Sequence, residues 1–139
     1  MRKVLFDTNI ILDIILEREP FFEEAVELFE LIDEKKISAF VSATTITDIY
    51  YIVKKVKGHQ KSHAFISDLV EIVNVVGIDK EVVLAALSKE MKDFEDAIQL
   101  TASELNEIEY IITRNKNDFK IDSSVQVFLP KEFLSEMSI

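Results

Sequence analysis

Two rhythms alternate along this chain. Short unbroken apolar runs are separated by longer stretches in which apolar residues return at every third or fourth position. The short runs read as strands: Lys3 to Phe6, Ala39-Phe40-Val41, Ile72 to Val76, Tyr110 to Thr113, and Val125 to Leu129. Between the first two, Ile10 to Leu16 is apolar nearly all round, the mark of a helix buried among other elements. Asp13 interrupts it, either as the border of a polar site or as a partly exposed helix position. Phe21, Ala25, Leu28, Phe29 and Ile32, with glutamates between them, predict an amphipathic helix that ends near Lys35 and Lys36. Pro20 suits its first turn.

After the second strand, Thr44, Thr45 and Thr47 offer caps for a helix with Ile46, Ile49, Tyr50 and Val53 on one face. Gly58 stops that helix, and another follows through Ala64, Phe65, Leu69 and Val70. Asp79 caps a helix carrying Val82, Val83, Ala86 and Leu87, and the next has Ile98, Thr101, Ala102 and Leu105 on its apolar side. A short closing helix runs from Pro130 toward Ile139. Strands alternating with helices throughout imply an α/β protein, a five-stranded parallel sheet between helical layers in a three-layer α/β/α arrangement.

Composition narrows the reading. At 139 residues the chain is expected to form a single domain over residues 1–139. With only two Gly and two Pro there is little punctuation for a many-turned all-β fold. The formal net charge of −10 argues against broad nonspecific attraction to nucleic acid or anionic membranes, though bound cations would neutralise an acidic metal site locally. The absence of cysteine excludes disulfides, thiolate catalysis and cysteine-type zinc sites. Arg2 and Lys3 precede an apolar run, but Asp7 and Asp13 interrupt it, so no signal peptide is expected. No stretch is long and apolar enough to cross a bilayer. A soluble, cytoplasmic protein is the expectation.

The candidate chemistry lies in the acids. Asp7, Asp48 and Asp118 follow the first, second and fourth strands, and Asp96 stands near the start of a helix. In a parallel sheet these positions share the carboxyl edge, where ligands bind above a rigid scaffold. Carboxylates gathered there repel one another unless cations sit between them. Oxygen-only ligation points to Mg2+ or Mn2+ and to phosphodiester cleavage, in which a cation polarises the phosphate and activates water. Each acid also has a structural reading, as a cap of the following helix for Asp7, which Thr8 or Asn9 could also supply, a helix-start charge for Asp48 and Asp96, or a turn residue for Asp118. Asp93 and Asp96, three apart, fall on one side of a helical turn. Asp96 is assigned to metal, with Asp93 and Glu95 as outer or solvated charges.

Three segments together resemble the PIN domain, the fold of toxin ribonucleases of the VapC type from toxin-antitoxin pairs. They are Val4-Leu5-Phe6-Asp7-Thr8-Asn9, Asp93-Phe94-Glu95-Asp96-Ala97-Ile98-Gln99, and Ile112-Thr113-Arg114-Asn115-Lys116-Asn117-Asp118-Phe119. The resemblance implies a PIN-like fold with a short, twisted five-stranded parallel sheet. It also implies an Mg2+- or Mn2+-dependent endoribonuclease, often a homodimer, held inactive by an antitoxin partner. It makes Asp7, Asp48 and Asp96 metal-binding acids, with Asn115 or Asp118 in the fourth position. Asn9 and Thr113 would orient them, while Thr8 and Asn9 cap the first helix. Two positions depart from the pattern: Asp48 stands where the toxin branch usually has Glu, and Asn115 where many members have Asp.

An RNA substrate needs a basic rim around such a site, and Lys54, Lys55, Lys57, Lys61, Arg114 and Lys116 are the candidates, acting on phosphates. His59 and His63 have the spacing of a helical metal pair but lack an evident third ligand, which favours ordinary surface histidines. Two rival readings stand beside the ribonuclease. One is a catalytically inactive RNA- or protein-binding module. The other is a phosphoacceptor signalling domain, which expects paired acids after the first strand that Asp7-Thr8-Asn9 does not supply.

Overall fold

The computed structural model describes residues 1–119 and 122–138. Five strands, β1 (Arg2–Phe6), β2 (Ile37–Ser42), β3 (Asn74–Val76), β4 (Tyr110–Ile112) and β5 (Gln126–Phe128), form one sheet in the order β3-β2-β1-β4-β5. All four pairings are parallel, with Leu5 opposite Phe40 on one side and Ile111 on the other. The helices are α1 (Thr8–Ile15), α2 (Phe22–Asp33), α3 (Ala43–Lys57), α4 (His59–Ile72), α5 (Lys80–Ser88), α6 (Phe94–Leu105) and α7 (Pro130–Met137), with a 3-10 turn over Lys116–Phe119.

Strand side chains point alternately to opposite faces, and the core divides accordingly. Val4 and Phe6 of β1 pack with Ile11 of α1, Leu28 of α2, Ile49 of α3 and Phe133 of α7. Leu5, between them in sequence, packs on the other face with Ala86 of α5 and Leu100 of α6. The expected three-layer α/β/α fold is present, and the strands are apolar without polar alternation because both faces are covered.

The order of the strands fixes where a site can be. From β1 the chain moves outward to β2 and β3 with α1 to α4 on one face, then returns across the sheet to β4 with α5 and α6 on the other. Right-handed crossovers require this change of face when the direction reverses. The reversal falls between β1 and β4, so the crevice beyond their carboxyl ends is the topological switch point, where open α/β sheets bind ligands.

Several boundaries differ from the sequence expectation. β2 begins at Ile37, not Ala39, while β3 begins at Asn74 because Ile72 closes α4. α3 is capped by Ser42, whose Oγ accepts from Thr45 N at 3.3 Å, so strand passes into helix without the loop that a threonine cap would need. α1 starts at Thr8 with Asp7 as its cap. Pro20 stays in the turn before α2, which begins at Phe22. Ile139, the expected end of α7, lies outside the described residues.

Candidate active site

Asp7 is the first residue beyond β1, and its extended backbone makes it the N-cap of α1. Its carboxylate is 6% exposed and held by three donors. Oδ1 accepts from Thr8 N at 2.7 Å and from Gln99 Nε2 at 3.0 Å, while Oδ2 accepts from Thr113 Oγ1 at 2.6 Å. Two bonds fill the lone pairs of Oδ1, and one of Oδ2 remains. Thr113 in turn accepts from Asn115 N at 3.0 Å, so one hydroxyl couples β1 to the loop after β4.

Asp7, Asp48, Asp93, Glu95, Asp96 and Asp118 all line one open cavity of about 270 Å³ over the switch point. Asn9 and Asn115 also reach it. Asp93 is the N-cap of α6, its Oδ1 accepting from Asp96 N at 3.0 Å. The spacing of three is therefore a cap with its first-turn partner, not two acids on one helical turn, and it aims Asp96 from the start of α6. Asp118 sits in the 3-10 turn, its N donating to Asn115 O at 3.0 Å.

Of the two readings of Glu95, an outer or a solvated charge, the structure contradicts the second: it is half-buried in the cavity, its Oε1 accepting from Thr8 Oγ1 at 3.2 Å. Burial, then a hydrogen bond and charge repulsion from Asp48, push its carboxyl up to about 7. Burial also pushes Asp96 to about 7, reinforced by the charges of Asp7, Asp93, Asp118 and Glu95. The cavity thus has two carboxyls that hold protons near neutrality, because they are partly buried and because their neighbours are negative.

The donor set is oxygen-only, the kind that Mg2+, Mn2+ or Ca2+ takes. The acids line the cavity walls without meeting at a point. Among the described residues, no three His, Asp or Glu side chains are gathered tightly enough to hold an ion as arranged. Like charges spread apart in this way, and a divalent cation would draw them together.

Thr8 and Asn9 are not caps, because Asp7 takes that role. The Thr8 hydroxyl instead bridges Glu95 and Thr45, at 2.9 Å from Thr45 Oγ1. Among the described residues Asn9 does not bond to an acid; its Oδ1 accepts from Arg18 Nη1 at 3.3 Å. Gln99 joins the site beyond the residues expected from sequence, and a sequence signal marks it. α6 is buried continuously from Ala97 to Ser103, and a polar amide in such a run requires a partner. That partner is Asp7.

The sequence model of the PIN domain matches residues 3–117. The chain belongs to the PIN domain family. A relative of this PIN domain, Ribonuclease VapC1 of Aquifex aeolicus, is 28% identical over 139 residues, covering 94% of this chain and 92% of the relative. Among solved structures, a toxin-antitoxin complex from Klebsiella pneumoniae matches the PIN domain with a TM-score of 0.69 at 26% identity, over 91% of this chain and 97% of that one. VapC20 of Mycobacterium tuberculosis, described as a sarcin-ricin loop cleaving toxin, matches with a TM-score of 0.62 at 14% identity, over 78% and 86%. At that identity the likeness shows the fold.

The basic residues are arranged less simply than a rim. Lys54, Lys55 and Lys57 are exposed in the last turn of α3. At 1.5 Å per residue they lie roughly 9–14 Å along the helix from Asp48, and only Lys55, seven residues on, shares its face. Lys54 leans over the Tyr50 ring, 5.9 Å from its centre. Lys116 Nζ is held by both oxygens of Glu132 at 3.0 and 3.2 Å. Arg114 turns inward, its Nε 3.1 Å from Asp13 Oδ2. Asp13 is therefore neither a border acid of the cavity nor a partly exposed helix position, but a buried ion-pair partner. His59 bonds to the Tyr50 hydroxyl through Nδ1, and among the described residues no third ligand joins it and His63.

Proposed function

We propose that this PIN domain is a metal-dependent endoribonuclease and the toxin of a toxin-antitoxin pair, its 139 residues acting as one catalytic unit. The observation that carries the reading is the convergence of acids from β1, α3, α6 and the turn after β4 on one cavity at the switch point. The names of its relatives, a VapC ribonuclease and a toxin-antitoxin complex, point the same way. Asp7, Asp48 and Asp96 hold Mg2+ or Mn2+ in this scheme, and Asp118 takes the fourth position in preference to Asn115. The preference follows from charge: Asp118 contributes to raising Asp96, so a cation that relieves Asp96 attracts Asp118 as well.

Such a cation, when bound, supplies phosphate polarisation and a lowered pKa for the attacking water. The chain supplies the rest. Thr113, Gln99 and the Thr8 amide fix Asp7, so that its free Oδ2 lone pair faces a fixed direction. Glu95, beside Asp48, restores the reach lost where Asp replaces the usual Glu. Lys55 is the lysine best placed to meet phosphate, with Lys54, Lys57 and Lys116 farther round. Exposed Tyr51, Val56 and Val70 on α3 and α4 are the candidate surface for an antitoxin or a second copy. Among the described residues no helix is long and apolar enough to cross a membrane.

Purified protein incubated with labelled RNA and Mn2+ should cleave it, and Asp96→Asn should not. Equal cleavage by both proteins, or by neither, sinks the reading. The departures at Asp48 and Asn115 favour one alternative, a PIN module that binds RNA or protein without turnover. Calorimetry separates the two: tight RNA binding without Mn2+ binding is the signature of the inactive module.

A further inference from the structure

Asn9 lines the acid cavity, and four residues later on the same face of α1 stands Asp13, 1% exposed. Its partner Arg114 immediately precedes Asn115, which also lines the cavity. The guanidinium is fixed on two sides. Nε stands 3.1 Å from Asp13 Oδ2, and the guanidinium carbon lies 3.9 Å from the centre of the Phe21 ring, a stacking distance. The Nε contact is an ion pair without an aligned hydrogen bond. Among the described residues no hydrogen bond from either Nη group to a protein atom is present, and the Arg114 side chain is 22% exposed.

As a purely structural device this pair is a poor choice. Desolvating two charges offsets most of their attraction, and two apolar side chains of similar volume would hold α1 to the loop at least as well. What an apolar pair cannot provide is a planar fork with its outer edge presented to solvent at a fixed angle. That geometry suits bidentate binding of phosphate oxygens, where a lysine would act only as a point charge. Arg18, bonded to Asn9, adds a second guanidinium on the same side of α1.

We propose that Arg114 binds a phosphate of the RNA chain at the rim of the acid cavity, and that Asp13 and Phe21 are the positioning residues that aim it. The inference rests on the ribonuclease reading and deepens it. It turns the inward-facing arginine from a lost rim residue into the oriented one, and it separates Arg114 from the freely moving lysines of α3.

The test uses the full chain carrying Asp96→Asn, so that RNA stays intact, with binding of a short fluorescent single-stranded RNA followed by anisotropy across a salt series. Arg114→Lys should weaken binding about tenfold, as expected for losing a charge-assisted pair, with the salt slope nearly unchanged. Asp13→Asn should weaken it several-fold, again at constant slope. The double change Asp13→Leu with Arg114→Met, which keeps the site packed, should weaken binding and lower the slope by about one. Mn2+ affinity, measured calorimetrically on the same changes in the Asp96-containing protein, should stay within about twofold.

RNA affinity and slope that ignore all three changes overturn the proposal. So does a parallel loss of Mn2+ affinity, which would make the pair a mere brace for the Asn115 loop. If the parent protein binds no RNA at any salt, the ribonuclease reading itself has failed and takes this proposal with it.

Discussion

Asp96→Asn should make the metal-free protein more stable while removing its activity. The carboxyl of Asp96 is raised from 3.8 to about 7 by burial and by four neighbouring acids. Three units correspond to roughly 4 kcal/mol of penalty on the ionised form at 1.36 kcal/mol per unit. The side chain is half-exposed, and solvent screening reduces this to about 1–2 kcal/mol. For a chain of this size that is a rise in Tm of about 4–8 °C. The sign follows from proton counts. Between pH 4 and 7 the folded state holds a proton that the unfolded state releases, so wild-type stability falls as pH rises through that window and levels off above it. An amide has no such penalty. Melts monitored by circular dichroism in EDTA should therefore show the full gain at pH 8 and about a third of it at pH 5. Excess Mn2+ should raise the wild-type Tm at pH 8 and leave the variant nearly unmoved. A variant less stable than wild type at pH 8 in EDTA would refute the electrostatic account, as would a gain equal at both pH values.

Further outcomes follow from the same geometry. Glu95→Gln, at a carboxyl also raised to about 7, should flatten the remaining decline in stability toward neutral pH, seen as a smaller difference between urea midpoints at pH 5 and pH 8. Thr113→Val removes the 2.6 Å bond to Asp7 and the acceptor for Asn115 N, and should cost about 2 kcal/mol in urea unfolding and at least tenfold in Mn2+ affinity. Gln99→Leu leaves Asp7 with two donors and should weaken Mn2+ binding less than Thr113→Val does; calorimetry on both orders them. Leu28→Ala, in the core between α2 and the sheet, should destabilise by about 2–5 kcal/mol without changing Mn2+ affinity per folded molecule.

Much of the architecture is legible from sequence because strands buried on both faces and amphipathic helices leave different periodicities. Leu5 and Phe6, adjacent in sequence and buried on opposite faces, are what an uninterrupted apolar run means. Boundaries are harder wherever one residue serves two elements. Ser42 ends β2 and caps α3, and Asp7, directly after β1, caps α1, so the polar residues after them look like caps but are helix. Asp7, Asp48 and Asp118 could be anticipated as cavity acids because they follow strands, and Asp96 because it stands near a helix start. Their relations could not: Glu95 and Asp96 differ by one position, and only the cap at Asp93 sets the helical phase that turns both toward the cavity. Asp13 and Arg114 are about a hundred residues apart, a pairing that no local pattern encodes.

The place of β1 in the sheet bears on how the protein comes into being. The first strand made is the central one, and its neighbour β4 is among the last, with Thr113 and Asp7 separated by 106 positions. A chain emerging from the ribosome holds Asp7 and Asp48 early, but the hydroxyl that fixes Asp7 and the turn bearing Asp118 arrive only after α6 has crossed the sheet. Non-local pairing of this kind forms late, after the entropy of closing the long loop is met. A site built in this order is not assembled during most of the synthesis of these 139 residues. Truncations ending before β4 should accumulate as inert chains, in which Asp7 lacks its Thr113 partner.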